Sequence, residues 1–313
     1  MSGREDDDAV EAAAEEKLHC ASCGKAEIDD IKLKDCNSCD LVRYCSDECQ
    51  TNHKPEHEEA CNKRAAELRD ELLFKQPEST HLGDCPICMV PLPLDDGKHV
   101  MRPCCFNYVC KGCWHQSYKR ELEERGRLPK CPYCREPFPT MDNREDFDKE
   151  CMKYMQKRMK AKDPLAMYFV GSDHYAKGDY IGAFEWCTKA AELGHLEAHY
   201  LLAQLYGQGN GVEKDVGKET HHLEEAAIGG HPGARSNLAI NDFTEGNMER
   251  AMKHWIIAAN QGHDKPIKCL MELFKQKYVS KENLDAALRG YQAAIEATKS
   301  PQREEAEALF GRN

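Results

Sequence analysis

From residue 163 onward, apolar positions recur with the period of a helix, in a block that repeats along the chain. DPLAMYFVGSDHYAKGDYIGAFEWCTKAAELGH is followed by LEAHYLLAQLYGQGNGVEKDVGKETHHLEEAAIGGH and then by PGARSNLAINDFTEGNMERAMKHWIIAANQGH. The Gly-His pairs at 194–195, 230–231 and 262–263 stand 36 and then 32 residues apart. Such a period predicts two amphipathic helices per unit, stacked on their neighbours. A degenerate fourth unit, DKPIKCLMELFKQKYVSKENLDAALRGYQAAIEAT, follows. Ala166, Ala198 and Ala234 fall where helices must approach closely. Trp186, Leu223 and Trp255 recur at one position of the second helix, a packing role. Asp163-Pro164 reads as a helix start, with Asp as cap and Pro in the first turn. Upstream, Phe147, Cys151, Met155 and Met159 form an i,i+4 stripe that predicts the core face of a capping helix. The stretch NKRAAELRDELLFK predicts a further amphipathic helix, closed by the breaker Gln-Pro-Glu-Ser-Thr.

Cysteine changes the picture for the first part of the chain. Of 18 cysteines in 313 residues, all but Cys151, Cys187 and Cys269 fall before residue 135. In a reducing compartment this density reads as metal binding rather than a disulfide framework. The three later cysteines read as packing residues or core. The first block pairs Cys20 with Cys23, Cys36 with Cys39, Cys45 with Cys49, and His57 with Cys61. Short pairs let two side chains converge on one ion, and four soft N/S ligands close a structural zinc site. The pairs four apart suit one face of a helix.

On these ligands, and on Tyr44-Cys45-Ser46 and Cys49-Gln50, residues 18–61 resemble the MYND zinc finger. The resemblance implies interleaved sites: Cys20, Cys23, Cys45 and Cys49 on one zinc, and Cys36, Cys39, His57 and Cys61 on the other. It also implies a protein or peptide partner of the short proline-rich kind. Lys54 stands where family members usually carry tryptophan. His53 is off the family spacing and reads as a surface histidine.

The second block runs Cys85-Pro-Ile-Cys88, Cys104-Cys105, Cys110-Lys-Gly-Cys113 and Cys131-Pro-Tyr-Cys134, and over residues 84–139 it resembles a RING finger. The usual RING register puts Cys105 third and Asn107 fourth, where the family carries histidine. A neutral, hard amide oxygen is a poor zinc ligand. The favoured register uses Cys104 and Cys105. Neighbouring Cα atoms lie about 3.8 Å apart, as do two sulfurs on a tetrahedral ion with bonds of about 2.3 Å. Adjacent ligands require a turn, because an extended strand would point them to opposite faces. Pro103 is compatible with one. Interleaving as in the family gives Cys85, Cys88, Cys110 and Cys113 one zinc, and Cys104, Cys105, Cys131 and Cys134 the other. Both blocks together hold four zinc ions in this reading. His99 and His115 are off the spacing and read as surface residues.

Hydrophobic residues make up 41% of the chain and charged residues 31%, with a net charge of −12, so a nucleic-acid partner is not expected. No apolar run is long enough for a membrane span. The start, MSGREDDDAVEAAAEEK, is an acidic lead without the basic and apolar regions of a signal peptide, so a cytoplasmic or nuclear location is expected.

The expected fold class is multidomain: two small zinc-stapled modules followed by an all-α helical-repeat solenoid. The expected boundaries are an acidic lead at 1–17, a first finger at 18–61 and a helical linker at 62–83. A second finger at 84–139 follows, then a capping helix at 140–162, repeats at 163–300 and a tail at 301–313. The repeats resemble Sel-one-like repeats, relatives of tetratricopeptide repeats, in their AAxxGH endings. That resemblance implies a solenoid with a groove for protein partners.

The RING resemblance implies that the second module recruits a ubiquitin-conjugating enzyme and holds its thioester in a reactive pose, a positioning role. Ile87 matches the family's apolar contact for that enzyme, Pro132 lies on the same surface, and Trp114 adds to the docking face. Arg135 stands where active ligases carry a bridging cation, a role that suits a planar guanidinium. Each residue also fits a plainer role, Ile87 and Trp114 in a small core and Arg135 as one more surface charge. Two functions therefore stand side by side: a RING-type ubiquitin ligase with repeats that recruit substrate, and a zinc-stapled adaptor without ligase activity. A MYND-containing lysine methyltransferase is excluded, because 140–313 is occupied by repeats rather than a catalytic SET region. No phosphate loop, nucleophile triad or open metal site is present, so no residue is assigned as catalytic.

Overall fold

The computed structural model describes residues 19–28, 31–124, 130–137 and 144–310, divided between a unit that ends at Lys75 and one that begins at Gln76. The acidic lead at 1–17 lies outside the described residues.

In the first unit, regular strands are minimal. β1 (Lys34–Asp35) pairs antiparallel with β2 (Arg43–Tyr44), Lys34 opposite Tyr44. α1 (Asp47–Leu73) begins at Ser46, whose hydroxyl accepts the Cys49 N–H, with Asp47 and Glu48 favourable in its first turn. It runs without a break into the stretch expected as a separate linker helix at 62–83 and ends at Leu73, ten residues short of the expected boundary. Arg64 ties that extension back to the finger, with both Asp40 carboxylate oxygens at 2.7 and 3.0 Å and Glu71 at 2.9 Å. The buried cluster of the finger is Cys20, Leu33, Cys36, Cys39 and Tyr44.

The second unit opens on a hairpin of β3 (His99–Met101) and β4 (Tyr108–Cys110), followed by α2 (Lys111–Lys119) and a widened turn over Arg120–Glu124. α3 (Arg144–Lys160) leads into four antiparallel pairs. These are α4 (Pro164–Ala176) with α5 (Tyr180–Glu192), and α6 (Leu196–Gln208) with α7 (Val216–Ile228). Then come α8 (Pro232–Thr244) with α9 (Met248–Asn260), and α10 (Asp264–Lys275) with α11 (Lys281–Ala297). Cys151 and Met155 are half-buried and Met159 packs on the first repeats' core. Among the described residues no helix is long and apolar enough to cross a membrane.

The AAxxGH ending is a helix stop and a helix start combined. In each, the glycine N–H bonds the second alanine's carbonyl and the histidine N–H bonds the first alanine's. For His231 these are 3.0 Å to Ala227 and 2.9 Å to Ala226. This paired closure needs a left-handed residue at the glycine, and Gly194, Gly230 and Gly262 have φ of +80°, +90° and +84°. The imidazole then caps the next helix, His195 Nδ1 accepting the Ala198 N–H at 3.3 Å and His231 Nδ1 the Ala234 N–H at 2.9 Å. His263 makes no such cap; its Nδ1 meets Ser236 Oγ at 2.9 Å. All six alanines of the motif are buried, as are Ala166, Ala198, Ala234, Leu223 and Trp255, while Trp186 packs half-buried on the core. Cys187 is buried among the first repeats and Cys269 packs half-buried on the last.

Residues 301–310, expected as part of a tail, form α12 (Pro301–Phe310). It packs on α2, where a Cβ at Gly112 would lie 2.8 Å from the Arg303 nitrogen and 2.9 Å from the Gln302 oxygen. The segment 76–81 docks on the Gly-His edge of the repeats. His81 N–H donates to the Gly230 carbonyl at 3.1 Å, and Asn260 Nδ2 donates to Gln76 at 3.1 Å.

Burial lowers the pKa of the capping His195, and of His222 and His263, to about 4. A folded-state value below the usual 6.5 means that the unfolded chain binds protons first as pH falls. The repeats are therefore expected to be most stable above about pH 6.5 and to lose stability progressively toward pH 4. Thermal unfolding midpoints from pH 7.5 to 5 should fall. His195→Asn, which keeps a capping acceptor but does not titrate, should show a shallower slope; an unchanged slope would overturn this account.

Candidate metal centres

Three loops share one hydrogen-bonding pattern. The first cysteine's N–H donates to the carbonyl five residues on, and the N–H four residues on donates back to that cysteine's carbonyl. The distances are 2.8 and 2.8 Å for Cys20, 3.0 and 2.8 Å for Cys85, and 2.8 and 3.0 Å for Cys131. The residue after the second cysteine is left-handed each time: Gly24 at +71°, Met89 at +55° and Arg135 at +63°. This knuckle turns two thiols and their neighbouring N–H groups to one point.

A fourth loop closes in the same way without the expected spacing. Arg102 N–H donates to Asn107 O at 3.0 Å, Phe106 N–H donates to Arg102 O at 2.6 Å, and Phe106 has φ +57°. Arg102 thus occupies the place of a first cysteine. Cys105 holds the second ligand place, and Cys104 beside it supplies the thiol that position 102 lacks. Asn107 closes the loop through its carbonyl, while its Nδ2 donates to Cys105 O at 3.2 Å. A left-handed non-glycine costs of order 1 kcal/mol. Here Phe106 is buried, with its ring 5.7 Å from that of Phe169 and the Arg158 guanidinium 5.1 Å from its centre.

The sixteen candidate ligands gather in four tetrads, the ligand atoms of each within 4.8 Å of one another. These are Cys20, Cys23, Cys45 and Cys49; Cys36, Cys39, His57 and Cys61; Cys85, Cys88, Cys110 and Cys113; and Cys104, Cys105, Cys131 and Cys134. Measured sulfur pairs are 3.6 Å (Cys23–Cys45), 3.7 Å (Cys36–Cys61), 3.9 Å (Cys88–Cys110), 3.8 Å (Cys105–Cys131) and 3.4 Å (Cys104–Cys134). Disulfide sulfurs lie about 2.05 Å apart, whereas the edge of a tetrahedron around zinc is about 3.8 Å. The donors therefore fit a tetrahedral soft cation. Backbone N–H groups of Cys110 and Cys113 point at Cys85 Sγ and Cys110 Sγ, at 3.5 and 3.4 Å. His57 Nε2 lies 3.2 Å from Cys39 Sγ.

The thiols share protons unequally. The Cys104 thiol donates toward Cys105 and holds its pKa down to about 5, while Cys104 itself is raised. Hydrogen bonds from Cys110 and then Cys113 lower Cys85. At Cys20, burial acts upward, but N–H groups of Cys45, Cys23 and Ser22 outweigh it and bring the thiol to about 6. Burial, and then the neighbouring His53, lower His57, which favours the neutral imidazole that a metal requires.

The off-spacing histidines are not the surface residues expected. His53 Nδ1 lies 3.0 Å from Tyr44 Oη, and its ring stacks on that of His57 at 5.7 Å. His99 is buried with its ring 5.2 Å from that of Tyr108, and His115 is half-buried. Of the candidate docking residues, Ile87 is 42% exposed, Pro132 is half-buried, and Trp114 is half-buried with its ring 5.5 Å from that of Tyr118. Arg135 is exposed and ion-paired at 3.1 Å with the buried Glu121.

A fifth grouping had no signal in the sequence. Glu197 Oε1 lies 2.8 Å from His81 Nε2 and 3.4 Å from His231 Nε2, and the two imidazoles stack at 4.4 Å. Burial opposes ionisation of Glu197, but hydrogen bonds from His231 and His81 hold its carboxyl well below the usual range. His231 Nδ1 already accepts a backbone N–H, so its proton sits on Nε2 and points at the carboxylate, the arrangement of a clasp rather than of a metal ligand.

Residues 20–61 match the family model of the MYND finger, and residues 164–195, 196–231 and 241–263 match the Sel1 repeat. The chain is similar to DAP3-binding cell death enhancer 1 of Mus musculus, 23% identical over 201 residues, covering 51% of this chain and 39% of that protein. It is similar to the protein of the same description from Rattus norvegicus, 22% identical over 201 residues and 40% of that protein. The chain thus matches only about two fifths of the length of these curated relatives. Among solved structures it is similar to a Sel1 repeat protein from Oxalobacter formigenes, 27% identical over 47% of this chain and 64% of that chain, TM-score 0.40. Another is c5321, a protective antigen of uropathogenic Escherichia coli strains with an SLR fold, 19% identical over 64% of this chain and 40% of that one, TM-score 0.36. The first unit is a zinc-binding MYND module, and the paired helices are a Sel1 repeat solenoid. The pairing of these parts makes the chain a protein-interaction scaffold.

Cys104→Ser is expected to lower the metal bound per chain. Asn107→Ala is expected to leave it unchanged while removing a loop hydrogen bond worth about 1 kcal/mol. Elemental analysis of the purified variants checks both, and an equal loss of metal in the two would reverse the assignment of this loop.

Proposed function

We propose that the chain is a RING-type ubiquitin ligase that binds four zinc ions. In this reading the second cysteine module holds a ubiquitin-charged conjugating enzyme, while the repeats, and the MYND finger with them, recruit protein substrates in a reducing cytoplasmic or nuclear compartment. The observation that carries it is the build of residues 85–134: two interleaved tetrads of cysteines on knuckles, with Ile87 at the surface of the first knuckle and Arg135 directly after the last. No bond is made or broken by this chain. Its contribution is orientation, since thioester and attacking lysine belong to other proteins.

One observation favours a scaffold without ligase activity. Arg135 is engaged by Glu121, and a cation that bridges two partners must first leave that pair. Discharge of ubiquitin from a panel of charged conjugating enzymes separates the readings. Wild type should accelerate discharge with at least one enzyme, and Ile87→Ala and Arg135→Ala should each cut the rate at least tenfold with metal content unchanged. Wild-type rates at background with every enzyme would leave the scaffold alone. Two zinc ions per chain in place of four would remove the second module from the metal reading.

A further inference from the structure

Arg303, on the inner face of α12, reaches across 215 positions of sequence to the first knuckle of the second module. Its Nη1 donates to the Pro91 and Thr298 carbonyls, both at 2.7 Å. Its Nη2 donates to Val90 O at 2.9 Å and to Cys88 Sγ at 3.5 Å. The side chain is half-buried. Among the described residues no carboxylate pairs with it; two acids further along α12 are engaged elsewhere, Glu305 with Gln116 at 3.0 Å and Glu307 with Lys98 at 2.9 Å. A half-buried guanidinium without a carboxylate must find its acceptors in other groups. Three carbonyls fix its plane, and the remaining acceptor is a cysteine sulfur.

A zinc ion held by four thiolates carries a net charge of −2, and hydrogen bonds to the ligand sulfurs decide how that charge is held. The close approach is built into both partners. Gly112, beside Cys113, admits the α12 backbone where any side chain would collide, and Ala306, one turn beyond Arg303, is fully buried.

We infer that Arg303 is the outer-shell partner of the Cys85–Cys88–Cys110–Cys113 metal site, so that the helix after the last repeat is a working part of the second zinc module. The inference rests on the reading that this module holds zinc. It makes the solenoid's end an in-cis clamp: whatever displaces α12 also loosens one ion.

The test uses the full-length chain loaded with zinc, and reads release to a chelator with a colorimetric zinc indicator. Arg303→Ala should release one ion per chain 10–100-fold more readily, the range for loss of an outer-shell partner, with the other ions unchanged. Arg303→Lys keeps a positive charge near Cys88 and should restore part of the retention, whereas the neutral Arg303→Gln should not. Glu305→Gln and Glu307→Gln, which weaken the helix rim but spare the guanidinium, should behave as wild type. Release from Arg303→Ala that matches wild type, or a loss as large in the two glutamate variants, overturns the inference, and so does Lys performing no better than Gln. If Arg303→Ala melts α12, as read by far-UV circular dichroism, and zinc is nonetheless retained normally, the inference also falls. A wild type with four ions and an indifferent Arg303 sinks this proposal alone. A wild type with ions only in the MYND tetrads removes the second module's metal site as well.

Discussion

The structure of the cysteine-rich half depends on the convergence of four soft donors at one point. Little else closes these loops. β1 and β2 are two residues each, and three of the five residues in the buried cluster of the finger are cysteine. So small a core buries too little apolar surface to offset the entropy of ordering its loops. Metal binding supplies the difference, and folding of such a module is the formation of its sites. The consequence for function is a rigid surface carried on loops. Ile87 and Arg135 are exposed on the loops that carry Cys88 and Cys134.

The repeats solve the opposite problem, stacking units that are apolar but individually too thin. Paired alanines allow close helix approach, a left-handed glycine ends one helix, and the histidine after it begins the next. The same Gly-His edge is then used by the chain itself. His81 enters between Gly230 and Glu197, and a Cβ at Gly230 would lie 2.5 Å from the Ser79 carbonyl oxygen. Phe106 of the fourth knuckle buries against Phe169 of the first repeat, and α12 closes on α2. The second module is thereby seated on the solenoid rather than strung from it, which suits a scaffold that must hold one partner at a set distance from another.

Much of this was legible in the chain because the signals are local. Ligand pairs three or four positions apart, a 32–36-residue period and AAxxGH endings each specify geometry within a few turns of backbone. The tetrads use every cysteine of both blocks and His57. Less legible was the loop at Cys104 and Cys105. The adjacency of the two ligands pointed to a turn there, but not to a knuckle with Arg102 in the first ligand place, since only the hydrogen bonds of Arg102, Phe106 and Asn107 reveal it. His99 was misread because burial depends on what packs from outside its own strand.

The sequence by itself determined where the repeat helices stop and start and which residues can bind a soft metal, because capping, period and ligand spacing act over a few residues. Tertiary structure alone decided which distant groups meet: Glu197 between His81 and His231, Glu121 on Arg135, Arg303 over Cys88. Those partners lie up to 215 residues apart, and no local pattern marks them. A carboxylate or a guanidinium satisfies its own stretch of chain equally well in water, and its role is set only when folding removes the water and leaves one partner within reach.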